Sequence, residues 1–152
     1  MTLSYCLGTC FLGALLVARS DRGLCAIFLG EEPAVLVDAL RQRFRHALVE
    51  PGGTEMLGVV ARVASFVEHP CRGLDLPLDV VGTPFQQRVW RALTAVPVGT
   101  TVSYAGVADR IDRPGAGRAV AAACAANPLA VVIPCHRVIR SDGVLSGYRW
   151  GE

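Results

Sequence analysis

Apolar residues from Phe11 to Ala18, a polar and glycine cluster at Ser20-Asp21-Arg22-Gly23, and a second apolar run from Leu24 to Leu29 open the chain in the order strand, turn, strand. Short apolar runs bounded by turn residues predict buried strands, so a hairpin is expected first. After Gly30 the period changes. Leu36, Leu40 and Phe44 recur at four-residue spacing, Pro33 suits a first helical position, Glu31 and Glu32 stand at the positive end of the helix dipole, and Arg41, Arg43 and Arg45 stand near the negative end. Pro51-Gly52-Gly53 breaks the chain. Leu57, Val60, Ala61, Ala64 and Val67 then predict a second amphipathic helix started by Thr54, and a short strand at Leu78 to Val81 closes a small α/β domain over residues 1–82.

Residues 83–152 have a different texture. Thr83-Pro84-Phe85-Gln86 combines a threonine cap, a proline in the first turn and a glutamine three residues after the cap, the start signals of a helix carrying Phe85, Val89 and Leu93. Pro97-Val98-Gly99-Thr100 is a tight connection, after which Ser103 caps a helix whose Tyr104, Val107, Ala108 and Ile111 share a face. A third helix is expected from Pro114 to Ala126, mostly alanine behind Arg118. Helix, short turn, helix is the outline of a helix-turn-helix. Two readings of the alanines stay open: they are strong helix formers filling a tight core, or small side chains that let a backbone approach a DNA groove while Arg118 reaches in. Both fit if they belong to opposite faces.

Composition narrows the class. With 152 residues, 52% hydrophobic and 18% charged, the chain can bury a sizeable core and is far from disorder. The net charge of +2 hides an asymmetry: residues 1–82 carry seven arginines against nine acids, and residues 83–152 carry eight arginines against four acids. A polyanionic partner should therefore meet the second half. Six cysteines, at 6, 10, 25, 71, 124 and 135, show no framework spacing, which predicts reduced thiols in a cytoplasmic protein. The run CLGTCFLGALLVA lacks a basic leader and is interrupted by Gly8 and Gly13, which argues against a signal peptide, and no stretch is long enough to span a bilayer.

The chemistry concentrates in VVIPCHRV, residues 131–138, where one of only three histidines follows a cysteine. A thiolate is the nucleophile, and a neighbouring base or cation raises its population. A zinc deaminase would need a Pro-Cys-x-x-Cys pair, but the residue three after Cys135 is Val138. A structural zinc site would need a second ligand pair close by. A thiol hydrolase drawing its histidine from His46 or His69 stays open, though both lie upstream in the other half.

Asn127-Pro128, the run Ile133-Pro134-Cys135-His136-Arg137-Val138, Gly143 and Ser146-Gly147-Tyr148, with Val102-Ser103-Tyr104 and Arg118-Ala119-Val120 upstream in the expected order, resemble the O6-alkylguanine-DNA alkyltransferases. The segment Ser146-Gly147-Tyr148-Arg149-Trp150-Gly151 is most similar to the Ada-type branch of that family. The resemblance implies an N-terminal ribonuclease-H-like α/β domain followed by a helical, winged-helix-like helix-turn-helix domain, and single-turnover repair of O6-alkylguanine, with O4-alkylthymine as a further substrate. Because the O6 group is unreachable inside the stack, the base is flipped out and the alkyl group moves irreversibly to the protein. By matching position, Cys135 is the acceptor and His136 the base that deprotonates it through a water. Asn127 braces the acceptor loop, although by itself it reads equally as a helix C-cap. Tyr104 rotates the nucleotide and gives a proton to the leaving guanine, although a tyrosine after a cap more often packs in a core.

Arg118 fills the gap left by the flipped base, where its own sequence context suggests only a surface charge. Ser103, Ala119 and Ala122 are expected against DNA, Cys124 and Tyr148 wall the pocket, and the backbone at Val138 and Arg149 reads the guanine edge. The partner is double-stranded DNA containing O6-alkylguanine, met by a monomer with no membrane association and no cofactor. No metal is assigned: some members carry zinc in the N-terminal half, but the scattered cysteines here read as small buried hydrophobes. Family members continue into a helix whose glutamate orients the histidine, whereas this chain stops at Glu152, which implies an incomplete relay and slow transfer. The rivals are a non-transferring sensor of alkylated DNA and a piece of a longer Ada-type protein with impaired transfer. Retention of Cys135 favours transfer.

Overall fold

A four-stranded mixed sheet with order β3-β2-β1-β4 organises the first of two compact units, Met1–Val80 and Val81–Glu152, in this computed structural model. The structure describes residues 1–70, 73–97, 100–130 and 132–134, and the backbone of 138–139. β1 (Thr2–Cys10), β2 (Gly13–Arg19) and β3 (Leu24–Gly30) are antiparallel neighbours, and β4 (Leu48–Pro51) pairs parallel to β1. Five successive residues of β2, from Ala14 to Ala18, are buried, so both faces of that strand are covered. A Cβ at Gly8 would run into Val60 of α2 (Glu55–Glu68), and one at Gly30 would press on Leu36 of α1 (Pro33–Arg43). Gly8 pairs with Leu15 and Gly30 with Ala14, neighbours that point to opposite faces. One helix therefore packs on each face.

The expected hairpin is present as β2 and β3, but β1 was not anticipated. CLGTCFLGALLVA folds as two strands around a turn at Phe11-Leu12, and the 67% exposed Phe11 lies outside β2 rather than starting it. Gly13 permits this turn with φ of 119°, and a Cβ there would sit 2.9 Å from the carbonyl oxygen of Gly30. β4 also escaped the sequence reading, because it is a four-residue edge strand ending in Pro51. The strand expected at Leu78 to Val81 is only a single bridge, Leu24 with Leu78. Pro77 accepts from the Leu24 amide at 2.8 Å but has no N–H with which to extend the ladder. Asp79 closes the junction, its amide bonding Leu24 at 2.7 Å and its carboxylate accepting from the Ser20 hydroxyl at 2.6 Å.

α1 buries Leu36 and Leu40 with Phe44 beyond its end, as the period predicted. In α2 the buried face is Met56, Val60, Val63, Phe66 and Val67. The predicted face was turned by about one residue. Leu57 is 60% exposed, and Thr54 precedes the helix without a side-chain cap bond.

The second unit begins with α3 (Pro84–Thr94) and the expected capping box: Thr83 Oγ1 accepts from the Gln86 amide at 3.1 Å and Gln86 Oε1 accepts from the Thr83 amide at 2.9 Å. Val89, Trp90 and Leu93 are buried while Phe85 is half-buried. β5 (Val102–Ser103) leads into α4 (Tyr104–Arg110), and α5 spans Gly117–Ala125. The third helix starts later than expected because the connection uses left-handed residues, Asp112 at φ 59° and Gly115 at φ 84°. β6 (Val138–Ile139) pairs parallel to β5. The class is mixed α/β, and among the described residues no helix is long and apolar enough to cross a membrane.

Candidate functional site

Three local devices converge around β5, α4 and α5. Ser103 caps α4, its hydroxyl oxygen accepting from the Gly106 amide at 2.9 Å, and this places Tyr104 as the first helical residue. A Cβ at Gly106 would stand 2.9 Å from Val102 Cγ2, so glycine keeps the strand-to-helix corner tight. A Cβ built at Gly117 would lie 3.9 Å from that of Tyr104. The half-buried tyrosine thus neighbours the start of α5, one residue before Arg118.

The alanines of α5 divide by face. Val120, Ala123 and Cys124 are buried, whereas Arg118, Ala119, Ala122 and Ala125 are exposed. Positions 118, 122 and 125 share one side of a helix. Arginine at one end of a face without long side chains can approach a polyanion closely. The opposite side is buried, and Cys124 lies on it.

Beyond α5 the chain enters a buried segment in which Leu129 and Ala130 are fully enclosed and Pro128, Ile133 and Pro134 are buried. Asn127, 1% exposed, holds it from within. Its Nδ2 donates to the Ile133 carbonyl at 2.8 Å and its Oδ1 accepts from the Leu129 amide at 2.9 Å. Asn127 is not merely a helix end, since the C-cap residue is Ala126. Its brace ends one residue short of Pro134-Cys135. On the far side Val138 pairs with Val102 and Ile139 with Ser103, so the segment after the Cys-His pair returns to the base of α4. Cys135, His136, Tyr148 and Arg149, together with the side chain of Val138, lie outside the described residues.

The other thiols differ in their surroundings. Burial, with Asp79 nearby as the second cause, pushes the Cys25 thiol from the ordinary 9.0 up to about 12, which suits an inert core group. Cys6 and Cys10 are partly exposed on β1. Among the described residues no group of three or more His, Cys, Asp or Glu side chains is placed to hold a metal ion. Sequence reasoning missed Trp90, whose indole N–H donates to the Ala123 carbonyl at 2.9 Å. A tryptophan one position off the expected stripe gave no hint of a partner on α5.

A mixed α/β unit precedes a helical unit, and in the latter an arginine-led open helix face is followed by a braced segment whose described part ends at Pro134. Residues 84–152 match the family profile described as 6-O-methylguanine DNA methyltransferase, DNA binding domain. The chain is 50% identical over 151 residues to the bifunctional transcriptional activator/DNA repair enzyme Ada of Escherichia coli K12, an alignment covering 99% of this chain and 43% of the relative. It is 35% identical over 138 residues to the inducible methylated-DNA–protein-cysteine methyltransferase of Bacillus subtilis 168, covering 89% of this chain and 76% of that one. The crystal structure of Mycobacterium tuberculosis O6-methylguanine methyltransferase superposes with a TM-score of 0.72 at 35% identity, covering 97% of this chain and 84% of the other. The chain belongs to the methylated-DNA–protein-cysteine methyltransferase family, and it spans less than half the length of its Ada relatives.

Proposed function

We propose that this protein repairs O6-alkylguanine in double-stranded DNA by moving the alkyl group onto its own Cys135 in a single turnover. The observation that carries the reading is the Asn127 brace, which holds both the Leu129 amide and the Ile133 carbonyl immediately ahead of Pro134-Cys135. A nucleophile delivered to a fixed carbon needs such a rigid approach. In the step itself, the Cys135 sulfur forms a bond to the alkyl carbon as the carbon–O6 bond breaks, and that bond's electron pair stays on the guanine. His136 takes the thiol proton through a water, and Tyr104 supplies a proton to the guanine leaving group. The net proton balance closes without cofactor or metal.

On the DNA side, the open face of α5 supports a groove contact in which Arg118 occupies the space of the flipped base and Ala119 and Ala122 admit the backbone. Ser103 uses an acceptor site for its cap and retains a hydroxyl proton for phosphate. Cys124, Tyr148, and the backbone at Val138 and Arg149 form the guanine pocket in this reading. A relative from M. tuberculosis, 34% identical and with a TM-score of 0.70, has been crystallised in complex with DNA. The finer architecture we assign is a ribonuclease-H-like domain over 1–82 and a winged-helix-like domain over 83–152, acting as a monomer in the cytoplasm.

The test is intact mass after exposure to an O6-methylguanine duplex, followed by peptide mapping. One methyl group on Cys135, abolished by Cys135→Ser with DNA binding retained, is expected. Methylation of another cysteine, or none, overturns the reading.

A further inference from the structure

We infer that Trp90 is a positioning residue for alkyl transfer, acting through the end of α5 on the segment that delivers Cys135; the inference rests on the repair reading above. Trp90 lies on α3, 2% exposed, and its Nε1–H donates to the carbonyl of Ala123 in the last turn of α5. That turn has no basic side chain to cap its carbonyls, and the amide of Ala126 is shared among several of them, at 3.1 Å from Ala122 O and 3.2 Å from Ala123 O. The indole therefore supplies a fixed, directional hold on a helix end that is otherwise loosely tied.

The opposite edge of the ring is held equally closely. A Cβ at Gly82 would stand 2.5 Å from Cζ3 and 2.6 Å from Cη2, so the ring fits only because residue 82 is glycine. Seated between Gly82 and Ala123, the indole sets where α5 ends. Asn127 follows directly, its amide bonded to the Cys124 carbonyl at 3.2 Å and its side chain gripping Leu129 and Ile133. The path from Trp90 to Ile133, two positions before Cys135 in the sequence, is thus a short run of hydrogen-bonded groups within one unit. A small displacement at the end of α5 changes the angle at which the thiolate meets the alkyl carbon, to which transfer is far more sensitive than DNA binding is.

Trp90→Phe keeps an aromatic ring in the core and removes the N–H. The single-turnover rate constant at saturating O6-methylguanine duplex should fall roughly tenfold, the scale of one buried hydrogen bond, with the duplex dissociation constant unchanged. Hydrogen exchange at the Leu129 amide should accelerate as the Asn127 grip loosens. Gly82→Ala, which pushes the ring from its other edge, should give the same pattern and carries the comparison if Trp90→Phe does not fold. Combining Trp90→Phe with Asn127→Ala should cost less in rate than the product of the single effects, because both act through one brace. Transfer by Trp90→Phe at the wild-type rate, independent effects in the double variant, or a loss tracking only the folded fraction would overturn the inference. A wild-type protein that binds the duplex without transferring would instead overturn the repair reading, and the inference with it.

Discussion

Asn127 shows how much one buried polar side chain can organise. Truncation to alanine leaves the Leu129 amide and the Ile133 carbonyl without their side-chain partner in a closed environment. Asn127→Ala should lower unfolding stability by about 2–4 kcal/mol, since each buried group left unpaired costs about 1–3 kcal/mol. Urea melts check this, with an unchanged midpoint counting against the brace. Cys25 gives a second prediction at this scale. Its folded pKa is raised to about 12 from an ordinary 9.0, so the unfolded chain releases the proton first. Stability from this group is fully present below pH 9 and is lost as pH rises from 9 towards 12. In the native protein at pH 8, Cys25 should resist a thiol-alkylating reagent that labels it readily in denaturant. The adjacency of Cys135 and His136 could be read from the chain, whereas the different environment of Cys25 could not, because desolvation depends on what packs around a thiol.

Among elements, α3 and α2 make an instructive pair. The capping box of α3 was legible because its two reciprocal bonds join residues three apart, and Thr83→Ala should cost about 1 kcal/mol, measurable in the same melts. The buried face of α2 was misjudged because Met56 and Leu57 are both apolar neighbours at the helix start, and only the sheet beneath decides which points inward. α5 carries the functional prediction. Ala122 is exposed while Ala123 is buried, so Ala122→Glu should fold normally but bind O6-methylguanine duplex weakly, by like-charge repulsion and lost close approach. Titration of labelled duplex tests this, and undiminished affinity would remove α5 from the interface.

For the whole molecule, charge is divided along the chain as the two units are. Residues 83–152 hold eight arginines against four acids, and residues 1–82 hold seven against nine. DNA affinity should fall steeply with salt, and Arg118→Ala should shallow that dependence by about one counterion. Arg22→Ala, an exposed arginine of the first unit, should leave it unchanged. Equal slopes for both variants would show that Arg118 makes no backbone or groove contact.

What the sequence determined by itself was local or covalent: helix starts at Pro33 and Thr83, the hairpin turn at Ser20 to Gly23, the charge division, and the Cys-His pair with Asn-Pro upstream. Each depends on residues within a few positions of one another, where capping, backbone freedom and adjacency act directly. What only the tertiary structure decided joined distant positions. β4 completes the sheet against β1 across 40 or more residues of chain, Leu24 takes Leu78 as a lone bridge partner, and Trp90 reaches Ala123. The face of α5 that stays open was likewise settled by packing. Alanine is equally at home in a core and on a surface, so its role at each position is fixed by the neighbours that folding brings to it.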